Sequence, residues 1–91
     1  MDLIWFFGMV SNLAEQKIKQ DDKIRIGSNI RSIRKSRGIG QTELVRQLQL
    51  MGLDMTRESF VKIERGIQHV KATQLKVIRD ALQTTYDDLL K

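Results

Sequence analysis

Apolar residues recur at three- and four-residue steps along most of this chain, which is the period of a helix packed on one side. The clearest stretch is residues 56–66, where Phe60 and Ile63 form an inward stripe opposite polar side chains. Thr56 is placed to cap this helix at its N-terminus, and Gly66 is placed to end it. The pattern predicts a short helix with both ends marked, although any solvated surface helix has the same periodicity.

The same spacing predicts four further helices, so we expect an all-helical (all-α) fold. Residues with a carboxylate or a hydroxyl group are placed as N-caps. Glycines follow the first three helices and are expected to end them. The four expected helices cover residues 21–37, 41–51, 72–82 and a short stretch after Thr85. Asp21 or Asp22 is the expected cap of the first. Residues 67–71 are expected to form a loop. The side chains expected to face inward are Ile26, Ile30, Ile33, Leu44, Val45, Leu48, Met51, Leu75, Ile78 and Leu82.

Residues 1–20 differ from this body because their first ten positions hold the single Trp and two of the three Phe. We interpret residues 1–20 as an N-terminal apolar arm ahead of a domain at residues 21–91. Apolar residues at three- and four-residue steps allow one amphipathic helix through about Lys19. The stripe consists of Leu3, Phe6 or Phe7, Val10, Leu13 or Ala14, and Ile18.

The apolar run of this arm is too short to cross a membrane, because it covers residues 1–10 and a helical span needs roughly 20 residues. No basic residue precedes the run and no small-residue cleavage site follows it, so we expect no signal peptide. An apolar patch of this kind is expected to pack on the body of the chain or on a second copy. If the patch packs on a second copy of the chain, the protein is expected to be a homodimer. Met9 is an alternative start of the chain.

The composition of the chain limits the kinds of site that it is expected to form. With no cysteine and one histidine, it has neither disulfides nor the usual ligands of a zinc site, so we expect no metal or cofactor. Ser59 has no His–acid partner that the sequence identifies, so nothing supports nucleophilic catalysis and we expect a protein that is not an enzyme. Asp87 and Asp88 are interpreted as acids of a first helical turn. A cysteine-free composition fits the cytoplasm.

The positive charge of the chain is concentrated in its middle. Residues 23–71 hold eleven Lys and Arg against four Asp and Glu, whereas residues 1–22 carry a small negative excess and residues 72–91 balance. The basic excess therefore coincides with the helix at residues 56–66. That distribution favours binding of nucleic acid, although charge of this size also serves solubility.

Four motifs in this region carry a resemblance to a known family. They are Ile-Arg-Ser-Ile-Arg-Lys-Ser-Arg-Gly at residues 30–38, Gln-Thr-Glu-Leu at 41–44, Lys-Ile-Glu-Arg-Gly at 62–66, and Leu-x-x-Ile followed by Ala-Leu within 75–82. In this order and spacing the chain resembles the phage repressor and Cro-type (Xre) helix-turn-helix DNA-binding proteins over residues 24–90. The resemblance implies a five-helix, lambda-repressor-like bundle in which the second and third helices form the helix-turn-helix.

The resemblance also implies roles for individual residues. Side chains facing DNA base edges are Arg57, Glu58 and Lys62, with Ser59 and Val61 as further candidates. Side chains lying along the phosphate backbone are Gln41, Thr56, Arg65, His69 and Lys71. Arg34 and Glu64 are expected to form a structural ion pair between the first and third helices. The family binds double-stranded DNA as dimers on pseudo-palindromic sites, with no small-molecule ligand implied here.

Two features depart from the family pattern. Gly40 occupies the position of the usual Ser or Thr cap before Gln41, and the connection between the second and third helices is about five residues longer, through residues 49–55. The resemblance implies a transcriptional regulator, with repression as its expected mode, that places helix 56–65 in the major groove. The alternative is a protein-interaction module, such as an antitoxin-like subunit, that binds a partner through the N-terminal arm.

Overall fold

The computed structural model describes residues 17–18 and 25–91, and this part of the chain is mostly helical, as expected. Its five helices are α1 (Ile26–Ser36), α2 (Gln41–Leu50), α3 (Arg57–Glu64), α4 (Ala72–Leu82) and α5 (Tyr86–Leu89). Strand β1 (Lys17–Ile18) pairs antiparallel with strand β2 (Val70–Lys71), so that Lys17 lies opposite Lys71 and Ile18 opposite Val70. No helix in these residues has the length and apolar character needed to span a membrane.

Short-range chemistry defines both ends of α3. The Thr56 hydroxyl oxygen accepts a hydrogen bond from the backbone N–H of Ser59 at 3.1 Å, as predicted for an N-cap. Gly66 follows the helix with a φ of 78°, a left-handed conformation that glycine adopts without a Cβ clash. Thr85 caps α5 in the same manner, accepting from the N–H of Asp88 at 3.1 Å. These predicted helix ends are confirmed.

One hydrophobic core joins all five helices. Phe60 and Ile63 of α3 are completely buried in it, as predicted. The other core residues are Ile26, Ile30, Leu44, Val45, Leu48, Met55, Val70, Leu75, Ile78, Leu82 and Leu89. Ile33 is half-buried and packs against this core, so the inward positions predicted for α1 and α4 are confirmed.

Met51 is the exception, because 48% of it is exposed. The helix ends at Leu50, and the chain then turns through Gly52, so Met51 lies outside the packed face. Met55 enters the core instead, with 2% of its surface exposed. The Gln49 side-chain N–H donates to the Met55 carbonyl at 2.8 Å, which braces the long connection between α2 and α3.

Three predicted boundaries were wrong. Helix α1 begins at Ile26 with Arg25 at the N-cap position, and not at Asp21 or Asp22, because the Arg25 carbonyl accepts the hydrogen bond from the Asn29 N–H at 3.0 Å that opens the helix. Lys17–Ile18 is a strand and not part of a helix, and Val70–Lys71 is a strand and not a loop, because the two segments pair with each other. The remaining residues of the predicted N-terminal helix, including Leu3 and Phe6, lie outside the described part.

Close packing against α1 fixes the C-terminal end of α3. A Cβ atom on Gly27 would lie 2.3 Å from the Ile63 carbonyl oxygen and 2.7 Å from that of Glu64. Only glycine permits this approach, since a real Cβ does not come so near a backbone oxygen. Helix α1 also holds the C-terminal region, where the Asn29 side chain donates to the Leu89 carbonyl at 2.8 Å. Helix α1 therefore contacts both the end of α3 and the C-terminal helix α5.

Candidate nucleic-acid interface

The three residues predicted to contact bases lie on the exposed part of α3. Arg57, Glu58 and Lys62 are all exposed, and Val61 between them is half-buried. Glu58 and Lys62, four residues apart, lie on one side of the helix opposite Phe60 and Ile63, and Arg57 lies in the first turn. Together with Arg65 and Val61 they line an open groove of about 380 Å³. The structure thus places Arg57, Glu58 and Lys62 on one groove, and their contact with base edges stays a prediction.

A second and larger groove lies where α1, α2 and α3 meet. It has a volume of about 570 Å³ and shares Val61 and Arg65 with the first groove. Its lining residues are Arg31, Arg34, Gln41, Val61, Glu64 and Arg65. The two grooves therefore border each other at Val61 and Arg65. Arg31 and Arg65 are exposed and give the second groove its positive charge.

The predicted ion pair between Arg34 and Glu64 is present and buried. Arg34 donates from Nε to Oε2 of Glu64 at 2.7 Å and from Nη2 to Oε1 at 3.1 Å, and each residue is 6% exposed. A third bond, from Nη1 of Arg34 to the Ile39 carbonyl at 2.8 Å, ties the pair to the chain before α2. Fork-shaped pairing of this kind fixes orientation as well as charge, so the pair joins α1 to the end of α3.

Gln41 extends this network to α2. Its side-chain nitrogen Nε2 donates to Oε1 of Glu64 at 2.9 Å. The carboxamide nitrogen carries a second hydrogen, so Gln41 can hold Glu64 and still offer a donor towards the groove that it lines. Gly40 precedes α2 without a side-chain cap, which leaves the first backbone N–H groups of α2 without a capping oxygen from that residue.

The other residues predicted to contact phosphate occupy different places. Arg65 lines both grooves. Thr56 is exposed at the start of α3, directly before Arg57, while its oxygen holds the Ser59 N–H. His69 is exposed just ahead of β2, and Lys71 is half-buried within it. Thr56, His69 and Lys71 are not among the residues that line the two grooves.

The structure adds one residue to the site that the sequence did not indicate and removes one candidate. Arg31 lines the second groove three residues before Arg34, and this spacing on one side of α1 is the signal that identifies it in retrospect. Ser59 is half-buried, and its hydroxyl oxygen accepts a hydrogen bond from the Gln68 side chain. Ser59, which the resemblance made a further candidate for base contact, therefore connects α3 to the following loop and does not line either groove.

The two grooves present charged hydrogen-bond donors and the carboxylate of Glu58, whereas the carboxylate of Glu64 is paired with Arg34. Over residues 17–18 and 25–91, no three His, Asp or Glu side chains come together as a potential metal site. Comparison with protein-family models, with curated proteins and with solved structures found no match to this chain.

Proposed function

We propose that this chain is a sequence-specific regulator of transcription that binds double-stranded DNA with α3 in the major groove. The observation that carries the proposal is the outer face of α3, where Arg57, Glu58 and Lys62 project into an open groove. The major groove of B-DNA is roughly 12 Å wide and admits one helix with its side chains. In this proposal α2 and α3 form the helix-turn-helix of a lambda-repressor-like bundle, with a longer connection between them.

The side chains on the outer face have complementary partners on DNA. Arg57 and Lys62 donate hydrogen bonds to the two acceptors of guanine, and Glu58 accepts from the amino group of cytosine. Phosphate contacts position the helix without reading sequence. In the proposal these contacts come from Gln41, Thr56, Arg65, His69, Lys71 and, in addition to the sequence-based set, Arg31.

The basic second groove supports this arrangement of phosphate contacts. Arg31 on α1, Gln41 on α2 and Arg65 after α3 line the same groove. Three parts of the chain therefore present hydrogen-bond donors beside the outer face of α3. Arg34, which also lines the groove, is already paired with Glu64 and contributes less free charge. The positive charge available to phosphate therefore comes from Arg31 and Arg65.

Binding to a pseudo-palindromic site requires two copies of the reading helix, about 34 Å apart. We propose a cytoplasmic homodimer acting as a repressor, with residues 1–20 contributing to association through their apolar side chains. Sedimentation of the full chain at micromolar concentration is expected to give twice the monomer mass. A monomer mass at that concentration contradicts the dimer.

Selection from random duplex DNA tests the proposal. The wild-type chain is expected to enrich one sequence, and its affinity for that duplex should fall steeply with salt, because each neutralised phosphate releases counterions with a slope of about −0.9 on logarithmic axes. A shuffled duplex of the same length is the control and should bind more weakly. If no sequence is enriched and salt leaves binding unchanged, the chain is not a DNA-binding regulator.

The alternative function is a protein-interaction module that binds a partner through residues 1–20. It rests on the apolar composition of that segment, of which the structure describes residues 17–18 alone. The DNA selection distinguishes the two, since an interaction module of this kind has no reason to enrich a duplex.

A further inference from the structure

Val61 is chemically unlike the residues around it. Of the nine side chains that line the two grooves, eight are charged or polar, and Val61 is the exception. It lines both grooves and therefore lies where they meet. On α3 it stands one turn after Arg57 and one turn before Arg65, so the three form a row along the outer face.

The fold does not account for a valine at this position. The core-facing side of α3 is filled by Phe60 and Ile63, which are completely buried, whereas Val61 is only half-buried. A β-branched residue is also a weaker helix former than alanine, lysine or glutamate. Its side chain has one strongly preferred rotamer in a helix, so Val61 presents its methyl groups in a fixed direction.

We infer that Val61 makes the proposed regulator select thymine, by apolar contact between its methyl groups and the C5-methyl of that base. The inference rests on the proposed function and names a specificity-determining residue within it. Thymine is the base that carries a methyl group in the major groove, and an apolar side chain is its natural contact. The charged neighbours Arg57 and Lys62 contact guanine in the proposed function, and Val61 between them in sequence meets the methyl.

Deoxyuridine isolates this contact, because it differs from thymine by the single C5-methyl and keeps the same hydrogen-bonding groups. Each thymine of the selected duplex is replaced by deoxyuridine in turn, and binding of the full chain is measured. Wild type is expected to lose about fourfold in affinity at one position of each half-site, the effect of removing one buried methyl-sized group. Val61→Ala should bind the thymine duplex more weakly and show no further loss with deoxyuridine at that position.

Val77→Ala is the matched control variant. Val77 is half-buried on α4, packs against the core, and lines neither groove. It should keep the wild-type sensitivity to deoxyuridine. Thermal unfolding of both variants confirms that they are folded under the binding conditions.

Three results overturn the inference while leaving DNA binding intact. They are a selected site without thymine, wild-type affinity that no deoxyuridine substitution changes, and a Val61→Ala variant that stays as sensitive as wild type. Failure to select any duplex is a different result, because it overturns the proposed function and this inference together.

Discussion

The two faces of α3 differ in what their side chains touch. On the inner face Phe60 and Ile63 are completely buried, and Glu64 accepts hydrogen bonds from Arg34 and Gln41. On the outer face Arg57 and Lys62 form no ion pair with any residue in the described part of the chain. One side of this eight-residue helix therefore stabilises the fold, and the other side is available to a ligand.

This difference separates two kinds of mutational effect. Inner-face changes remove packing or leave a buried charge without its partner, so they should lower the free energy of unfolding. Outer-face changes remove exposed side chains whose contribution to stability is small, so they should lower DNA affinity instead.

Glu64→Ala and Arg34→Ala are each expected to reduce the free energy of unfolding by about 3–5 kcal/mol, because the remaining buried charge loses its partner. Urea denaturation of both single variants and the double variant gives the coupling between them. Glu58→Ala is the control, since this exposed glutamate on the outer face should change stability by less than about 0.5 kcal/mol. Strictly additive losses for Arg34 and Glu64 contradict a buried pair.

Gly27→Ala is expected to cost about 1–3 kcal/mol, because the new Cβ would lie 2.3 Å from the Ile63 carbonyl oxygen and force α1 away from α3. Thermal unfolding measures the loss. Gly40→Ala is the matched glycine control, since its Cβ meets nothing within 4 Å. Its cost should stay below about 1 kcal/mol, from the poorer N-cap alone. Equal unfolding midpoints for Gly27→Ala and wild type contradict the close approach.

Thr56→Ala is expected to reduce stability by roughly 1 kcal/mol, since the backbone N–H of Ser59 loses its capping oxygen. Thr56→Ser keeps that oxygen and should stay close to wild type in the same chemical denaturation experiment. If the alanine and serine variants are equally stable, the hydroxyl does not cap α3.

Local features explain why the sequence predicted α3 well. Its cap, its stop and its inward pair are set by Thr56, Gly66, Phe60 and Ile63, all within a dozen residues. The burial of Met51 and Met55 was harder to predict. The helical period of apolar residues shows which face a residue occupies only as far as the helix extends. The helix α2 ends at Leu50, and periodicity carries no information about which methionine returns to the core.

Contacts between distant residues were not available from periodicity. The Arg34–Glu64 pair spans thirty positions, and only the family resemblance suggested it. The bond from Gln41 to Glu64 and the groove position of Arg31 depend on how three helices meet, so neither was foreseen. The same reason applies to the pairing of Lys17–Ile18 with Val70–Lys71, which replaces a predicted helix end and a predicted loop with strands.

The central claim is that the outer face of α3 reads DNA while its inner face holds the fold. The most direct test is selection from random duplexes with wild type, Arg57→Ala and Lys62→Ala, and with Lys76→Ala as an exposed control on α4. Arg57→Ala and Lys62→Ala should each lose about 1–3 kcal/mol of affinity for the wild-type site and relax preference at one base position, with unfolding unchanged. Lys76→Ala should match wild type. Wild-type affinity and an unchanged preference in both α3 variants would contradict the claim.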